Sequence, residues 1–411
     1  MIVTRVEKHT VKRNNTYYSM LDEFCFNAKN LYNHANYIVR KLFCESNIWT
    51  RYVDLDYILK NDIEYPDYAN MPTAQSAQQT LRLLDKNWVS FFRSIKDWSK
   101  NKDKYLGRPK LPNYKKKNSR MVLILTNQNV KLRDKKLKFP KVFRGFTIEP
   151  QCIQRDNFKS IQQVRFIPNS KYITVEVVYN IEIINEIKDN GRYMSIDIGV
   201  GNLAAVTNNF GVKPFIINGK GLKSINQYYN KTISHYRSIA KQHNKTDYTN
   251  RMSVLTNKRN LKVMDSMHKA SRYIVNEAVR NDVSVIVIGH NKEWKQSSVL
   301  SKRVNQNFVQ IPYNTLIQQI QYKAEEKGIK VVLTEESYTS GTSFLDNELP
   351  IKEYYNKSRR VKRGLFKSNQ GIYINADING SYQILKKVFP NAYKNVKGIE
   401  GVVLHPIKVN V

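Results

Sequence analysis

Apolar and polar positions change rhythm several times along these 411 residues. Residues 2–12 alternate with period two and predict a strand. From Tyr17 to about Cys44, the residues Leu21, Phe24, Ala28, Leu31, Tyr32, Ala35 and Ile38 recur at helical spacing. A second long helix is predicted over about 72–98, with Pro72 just before it and Thr73 placed to cap it. Residues 61–71 read as loop, and residues 101–120 as a basic, proline-containing linker. Short strands are expected over 121–125, 130–132, 137–139 (around a turn at Asp134), 163–167 and 172–179. A strand, then helices, then several strands suggest a small barrel interrupted by a helical insertion.

The rhythm changes near residue 190. Residues 193–198, 202–206 and 212–217 predict three strands, the last two joined by the turn Asn208-Asn209-Phe210-Gly211. Residues 220–281 are helical and charged, in the manner of two long antiparallel helices. Residues 283–288 are continuously apolar, the mark of a buried strand. A helix over 312–328 closed by Gly328, a strand over 329–335 and a helix from Ile374 complete the pattern. This order describes a mixed α/β sheet with helices on both faces, resembling the ribonuclease H type.

Composition narrows the partners. Lys and Arg number 68 against 34 Asp and Glu, a formal net charge of +34. Such an excess implies a polyanion, because each neutralised phosphate releases condensed counterions. The chain also has 26 Tyr, which among so many cations suits stacking on bases. Its cysteines, Cys25, Cys44 and Cys152, are widely spaced and form no CxxC pair, so neither a disulfide framework nor a cysteine zinc site is expected. With no signal peptide before Met1-Ile2-Val3-Thr4 and no long apolar run, a reducing bacterial cytosol and no membrane partner are expected.

Against this basic background three acidic segments stand out: Ser195-Ile196-Asp197-Ile198-Gly199, Glu335-Glu336-Ser337-Tyr338-Thr339-Ser340 and Asn375-Ala376-Asp377-Ile378-Asn379-Gly380. Each sets a carboxylate at a strand end or a helix start. Singly, Asp197 would serve as a turn residue and Asp377 as a helix cap. Together they are the oxygen ligands a divalent cation needs for phosphodiester hydrolysis. Glu335 and Glu336 would point to opposite faces of a strand, so only one can serve. Three such carboxylates repel one another without metal, so a metal-free site that is partly protonated or disordered is expected.

With those motifs, residues 189–411 resemble the RuvC nuclease domain of TnpB, the insertion-sequence protein related to type V CRISPR effectors and Fanzors. Tyr322-Lys323-Ala324-Glu325 belongs to the same resemblance, and so do Lys29-Asn30-Leu31-Tyr32-Asn33, Ala77-Gln78-Gln79-Thr80-Leu81 and Gly107-Arg108-Pro109-Lys110-Leu111-Pro112 in the first half. The resemblance implies an α/β ribonuclease H-like (RuvC) nuclease domain at 189–411. It also implies a wedge-like β-barrel from 1–15 and 101–188, and a helical recognition insertion at 16–100. The implied activity is RNA-guided, Mg²⁺- or Mn²⁺-dependent cleavage of double-stranded target DNA beside a short motif. The guide would be an RNA from the transposon end. Asp197, Glu336 and Asp377 would be the catalytic metal ligands.

Two departures from the family qualify this. The usual glutamate position after an apolar strand is Gly289, so the role would pass to Glu336, with Glu335 and Glu293 as the other acids in reach. The cysteines of the family's zinc ribbon are absent from 341–372, which is basic instead, so zinc is not expected. Arg359, Arg360 and Arg363 in that stretch, and Lys115, Lys116 and Lys117, are candidate nucleic-acid contacts. Gln75 and Gln79 share a helix face and could read adenine beside the target. Two other readings stay open: a guide-dependent binding protein that no longer cuts, and a guide-independent transposase.

Overall fold

The computed structural model describes residues 1–183, 187–244, 246, 248–291, 310–362, 364–394 and 404–411. Glu293 and Arg363 lie outside the described residues. The chain divides into two compact units, Met1–Glu182 and Ile183–Val411.

In the first unit, strand β1 (Ile2–Lys12) leads into helices α1 (Tyr18–Ser46), α2 (Tyr52–Lys60) and α3 (Ala74–Lys100). Then follow β2 (Leu123–Thr126), β3 (Lys131–Arg133), β4 (Lys136–Lys138), β5 (Thr147–Ile148), β6 (Phe158–Pro168) and β7 (Tyr172–Glu182). The sheets are an antiparallel β1-β7-β6-β2 and a small β3-β4-β5, and among the described residues β1 and β2 remain unpaired edges. Thr73 caps α3 as expected, accepting from the Ser76 N–H at 3.1 Å. The β3–β4 turn falls at Asp134 and Lys135, both with positive φ. Helix α2 was not expected; it buries only Leu55 and Leu59, too little periodicity to stand out in nine residues.

The segment expected to be a linker is instead stapled to α1. Lys29, Asn33 and Asn36 follow at i, i+4 and i+7 and so share one helix face. Asn33 donates to the Lys115 carbonyl at 2.9 Å and accepts from the Lys115 N–H at 2.7 Å. Asn36 donates to the Pro112 carbonyl at 3.0 Å and Lys29 to the Lys117 carbonyl at 3.0 Å. Asn36 is itself held by Trp88 of α3, whose indole N–H donates to it at 3.1 Å. The backbone is thereby fixed while Lys115, Lys116 and Lys117 stay exposed.

In the second unit, β8 (Tyr193–Ile198), β9 (Asn202–Asn208) and β10 (Phe215–Asn218) form an antiparallel meander. Helices α4 (Lys220–Asn244) and α5 (Asn250–Arg280) follow, then β11 (Val285–Gly289), α6 (Tyr313–Glu325) and β12 (Lys330–Thr334). A short hairpin of β13 (Leu365–Lys367) and β14 (Tyr373–Asn375) leads into α7 (Ala376–Val388), and β15 (Ile407–Val409) comes last. The six-stranded order is β12-β11-β8-β9-β10-β15, with β11 parallel to β8 and β12 parallel to β11. The expected helix from Ile374 begins two residues later, because Ile374 belongs to β14.

Alternation on β8 sends its residues to two different cores. Met194, Ile196 and Ile198 pack with Met267, Ile274, Leu316 and Ile320 of α5 and α6. Ser195 and Asp197 point the other way, where Val285 and Val287 of β11 meet Ile384 and Leu385 of α7. Helices thus cover both faces of a mixed α/β sheet. Among the described residues no helix is long and apolar enough to cross a membrane.

Candidate active site

Asp197, Glu336 and Asp377 line one cavity of about 720 Å³. Its wall also carries Asn202, Asn291 and Thr339, and its rim the cations Lys220, Lys223, Arg360 and Lys362. Three sequence segments spread between positions 197 and 377 are brought together by the sheet order.

Asp197 ends β8 on the α7 face. Its carboxylate sits against Gly380, where an added Cβ would lie 2.8 Å from Oδ2. Helix α7 is locked in that position by a buried hydroxyl network. Ser195 Oγ donates to the Ser381 carbonyl at 2.7 Å, Ser381 Oγ donates to the Ser195 carbonyl at 3.0 Å, and Thr207 is 3.0 Å from Ser381 Oγ.

Asp377 does not cap α7. Asn375 does, accepting from the N–H groups of Asp377 and Ile378 at 3.0 and 3.2 Å. The Asp377 carboxylate is therefore available to the cavity, where Asn202 donates to Oδ2 at 2.7 Å and Arg360 to Oδ1 at 3.1 Å. The rest of this motif is structural: buried Asn379 accepts from the Phe344 N–H at 2.9 Å and donates to the Thr342 carbonyl at 2.8 Å.

Glu336 reaches the cavity from beyond β12. That strand lies beside β11, not beside β8, so it stands roughly 10 Å from the strand of Asp197. Gly289, one step past the Ile288–Ile196 pair, leaves the intervening position open. A Cβ there would lie 2.7 Å from Glu336 Oε1 and 2.6 Å from Ile384 Cδ1. The Glu336 side chain thus occupies the space a side chain at 289 would need. Asn291 brackets it, accepting from the Glu336 N–H at 2.9 Å and donating to Oε2 at 3.2 Å. Oε1 is buried without a partner. Glu335 turns outward, 61% exposed, to Lys387 and Ser337.

Burial pushes the Glu336 carboxyl up to about 7. Burial, then the charges of Glu336 and Asp377, raise Asp197 well above the usual carboxylate range, and Arg360 pulls it back. Both shifts run in the direction expected of crowded, buried carboxylates. Among the described residues no group of three or more His, Cys, Asp or Glu side chains is drawn tightly enough together to hold a metal ion. Asp377 is instead occupied by Arg360. The donor set still suits a hard divalent cation, being all oxygen, with the buried Glu336 Oε1 lacking any partner.

The other sequence candidates fall in separate places. Arg359 is withdrawn into an ion pair with Glu348 at 2.6 Å, whereas Arg360 faces the cavity. The Gln75 side-chain oxygen accepts from Asn129 at 3.0 Å, and Gln79 is half-buried on the same helix. Sequence reasoning did not single out Asn202, Asn291, Lys220 or Lys223, whereas Lys362 belongs to the basic run 341–372 that it did mark. The two lysines opening α4 carried a signal, since cations in a first helical turn oppose the helix dipole and call for another purpose.

Residues 176–295 match the family model OrfB_IS605, "Probable transposase", and residues 313–384 match "Cas12f1-like, TNB domain". No curated protein matches the chain. Among solved structures it is similar to a Cas12f1–sgRNA–target DNA complex at 15% identity, covering 92% of this chain and 98% of that one, with a TM-score of 0.37. The mini-RNA-guided endonuclease CRISPR-Cas_phi3 matches at 10% identity over 94% and 92% of the two chains, TM-score 0.45. C2c1 of Alicyclobacillus acidoterrestris with single-guide RNA matches at 8% identity over 87% and 65%, TM-score 0.35. The chain is similar to the TnpB family of insertion-sequence proteins, the resemblance its motifs carry.

Proposed function

We propose that this protein is an RNA-guided DNA endonuclease whose reaction centre is the cavity of Asp197, Glu336 and Asp377. The observation that carries the reading is the convergence of these three carboxylates, one with a buried oxygen lacking any partner, under a rim of lysines and arginine. Asp197, Glu336 and Asp377 would hold Mg²⁺ or Mn²⁺, which when bound supplies a Lewis acid and an activated water for in-line phosphodiester hydrolysis. The Asp197 carboxylate packs against Gly380, and the Ser195–Ser381 network fixes α7 against β8 beside it. Arg360 must leave Asp377 for that carboxylate to face an ion, and an incoming phosphate offers it a new partner. Lys220 and Lys362 would seat the strand at the cavity mouth.

In this reading residues 189–411 form the RuvC-like nuclease, supported by the meander β8-β9-β10 flanked by two parallel strands. Residues 1–15 and 101–188 form the wedge-like part, 16–100 the recognition insertion, and the two grip guide RNA and the duplex beside the target. The site of action is the bacterial cytosol. Asp197→Ala or Asp377→Ala abolishes Mg²⁺-dependent cleavage while guide-RNA binding persists; wild-type cutting by either variant overturns the assignment. Gln75→Ala with Gln79→Ala relaxes the target-adjacent motif, at about 1–3 kcal/mol per lost base contact. An unchanged motif in a randomised library refutes that role. A binding protein that no longer cuts has one observation on its side, the ion pair that occupies Asp377. Guided binding without cleavage in Mg²⁺ and Mn²⁺ would favour it.

A further inference from the structure

We propose that Asn202 and Asn291 are positioning residues for the site, each holding one outer carboxylate by one oxygen and so setting its rotation while the other oxygen is left without an asparagine partner. This rests on the reading of Asp197, Glu336 and Asp377 as metal ligands.

The two asparagines act in parallel from different segments. Asn202 opens β9, just past the turn that follows Asp197, and its Nδ2 donates to Asp377 Oδ2 at 2.7 Å. Asn291 lies two residues beyond Gly289, the end of β11, and its Nδ2 donates to Glu336 Oε2 at 3.2 Å. Its Oδ1 also accepts the Glu336 N–H at 2.9 Å, so one side chain fixes both the backbone and the carboxylate of Glu336 just past the end of β12. The outcome is asymmetric carboxylates. Glu336 keeps Oε1 buried and without a partner, and Asp377 presents Oδ1, which Arg360 takes.

A carboxamide suits this work better than a cation. A carboxylate offers about four acceptor directions, and one neutral donor fixes its rotation while leaving its charge intact. An ammonium or guanidinium at the same oxygen would cancel that charge and compete with the ion, as Arg360 does on the other oxygen of Asp377. Groups that orient metal ligands in this way typically govern affinity by roughly 10–100-fold.

Asn202→Ala is the cleaner variant, because its side-chain bond goes to the carboxylate; Asn291→Ala also removes the acceptor for a backbone N–H. The full-length protein, with the RNA that co-purifies, is titrated with Mn²⁺ by calorimetry, and its thermal midpoint is recorded with and without Mn²⁺. We expect Asn202→Ala to bind Mn²⁺ about 10–100-fold more weakly. Its Mn²⁺-free midpoint stays at the wild-type value, its Mn²⁺-induced rise shrinks, and saturating Mn²⁺ restores cleavage. Asn291→Ala shows the same weakening with a lower Mn²⁺-free midpoint, and gives the answer if Asn202→Ala does not fold. Wild-type Mn²⁺ affinity in both variants overturns the proposal. So does a fall in midpoint that is equal with and without Mn²⁺ in Asn202→Ala. Asp197→Ala separates the two levels: if wild type does not bind Mn²⁺, or Asp197→Ala binds it equally well, the metal-site reading fails and this proposal with it. If Asp197→Ala loses binding while both asparagine variants keep it, only the positioning role fails.

Discussion

The basic strap of residues 109–117 and the acidic cavity at the end of β8 present opposite charges by opposite constructions. In the strap the backbone is held, through Asn33, Asn36 and Lys29, and the side chains of Lys115, Lys116 and Lys117 stay exposed, that of Lys115 over the Tyr32 ring. In the cavity the side chains of Asp377 and Glu336 are held, by Asn202 and Asn291, while Gly380 and Gly289 leave room for Asp197 and Glu336. The difference follows from what each charge meets. A phosphate backbone is long and repetitive, so cations need density rather than exact placement, and solvated lysines cost little. A small cation needs its oxygens at defined directions, so Glu336 and Asp197 are buried, which shifts both toward the protonated form. Loss of one cavity carboxylate should therefore be close to all-or-none, and loss of one strap lysine graded.

The largest effect expected is at Glu336. Glu336→Gln keeps the shape and removes the charge, and guided cleavage should fall by orders of magnitude while DNA binding survives. Glu335→Gln should be far milder, since Glu335 is largely exposed and paired with Lys387. Single-turnover cleavage by the two variants side by side breaks the comparison if their losses are equal.

Next in size is a pH effect on the metal-free protein. Between about 4.5 and about 7, folded Glu336 keeps a proton that the unfolded chain has released. Its contribution is complete below the lower value and is lost as pH rises through the upper one, on the order of 3 kcal/mol in all. Asp197 is shifted the same way. Denaturation midpoints should fall over that interval, and Glu336→Gln should flatten the slope. A stability that rises with pH there in wild type alone would show that Glu336 is not held in a poorly solvated site.

Gly289→Ala tests the same construction through packing. The new Cβ would lie 2.6–2.8 Å from Ile384 and Glu336, so one of them must move. The cost should be about 1–3 kcal/mol by denaturant unfolding. In a Glu336→Ala background the cost should shrink, because only Ile384 remains in the way. Equal costs in both backgrounds would mean that Glu336 does not occupy that space.

How much of this was legible beforehand divides along the same line. The cavity's framework was visible: the strand of Asp197 falls at residues 193–198 as expected, because its side chains alternate between two cores. The exchange of Gly289 for a glutamate on the neighbouring strand was also legible in outline, and β12 does lie beside β11, the strand that ends in Gly289. The strap was not legible. Its staples run from side chains to backbone carbonyls, and a carbonyl is present at every residue, so no pattern betrays it. Asn202, Asn291 and the cap Asn375 were equally silent, since asparagine is ordinary in turns. The hairpin β13–β14 has three residues a strand, too few for periodicity to register.

The smallest and most graded effect belongs to the strap, and it can separate charge from order. Replacing Lys115, Lys116 and Lys117 by Gln removes up to three cations and should make the dependence of log affinity on log salt shallower by about 0.7 per lost phosphate contact on single-stranded RNA. Asn33→Ala leaves all three lysines in place but releases both bonds to the Lys115 backbone. Affinity for the co-purifying RNA should then drop modestly while the salt slope holds, because the cost is the ordering of a loosened segment rather than a lost ion contact. Filter binding over a salt series reads both quantities. A slope that falls in Asn33→Ala as much as in the triple variant would mean that the lysines act only when the backbone places them, and the strap would then resemble the cavity rather than contrast with it.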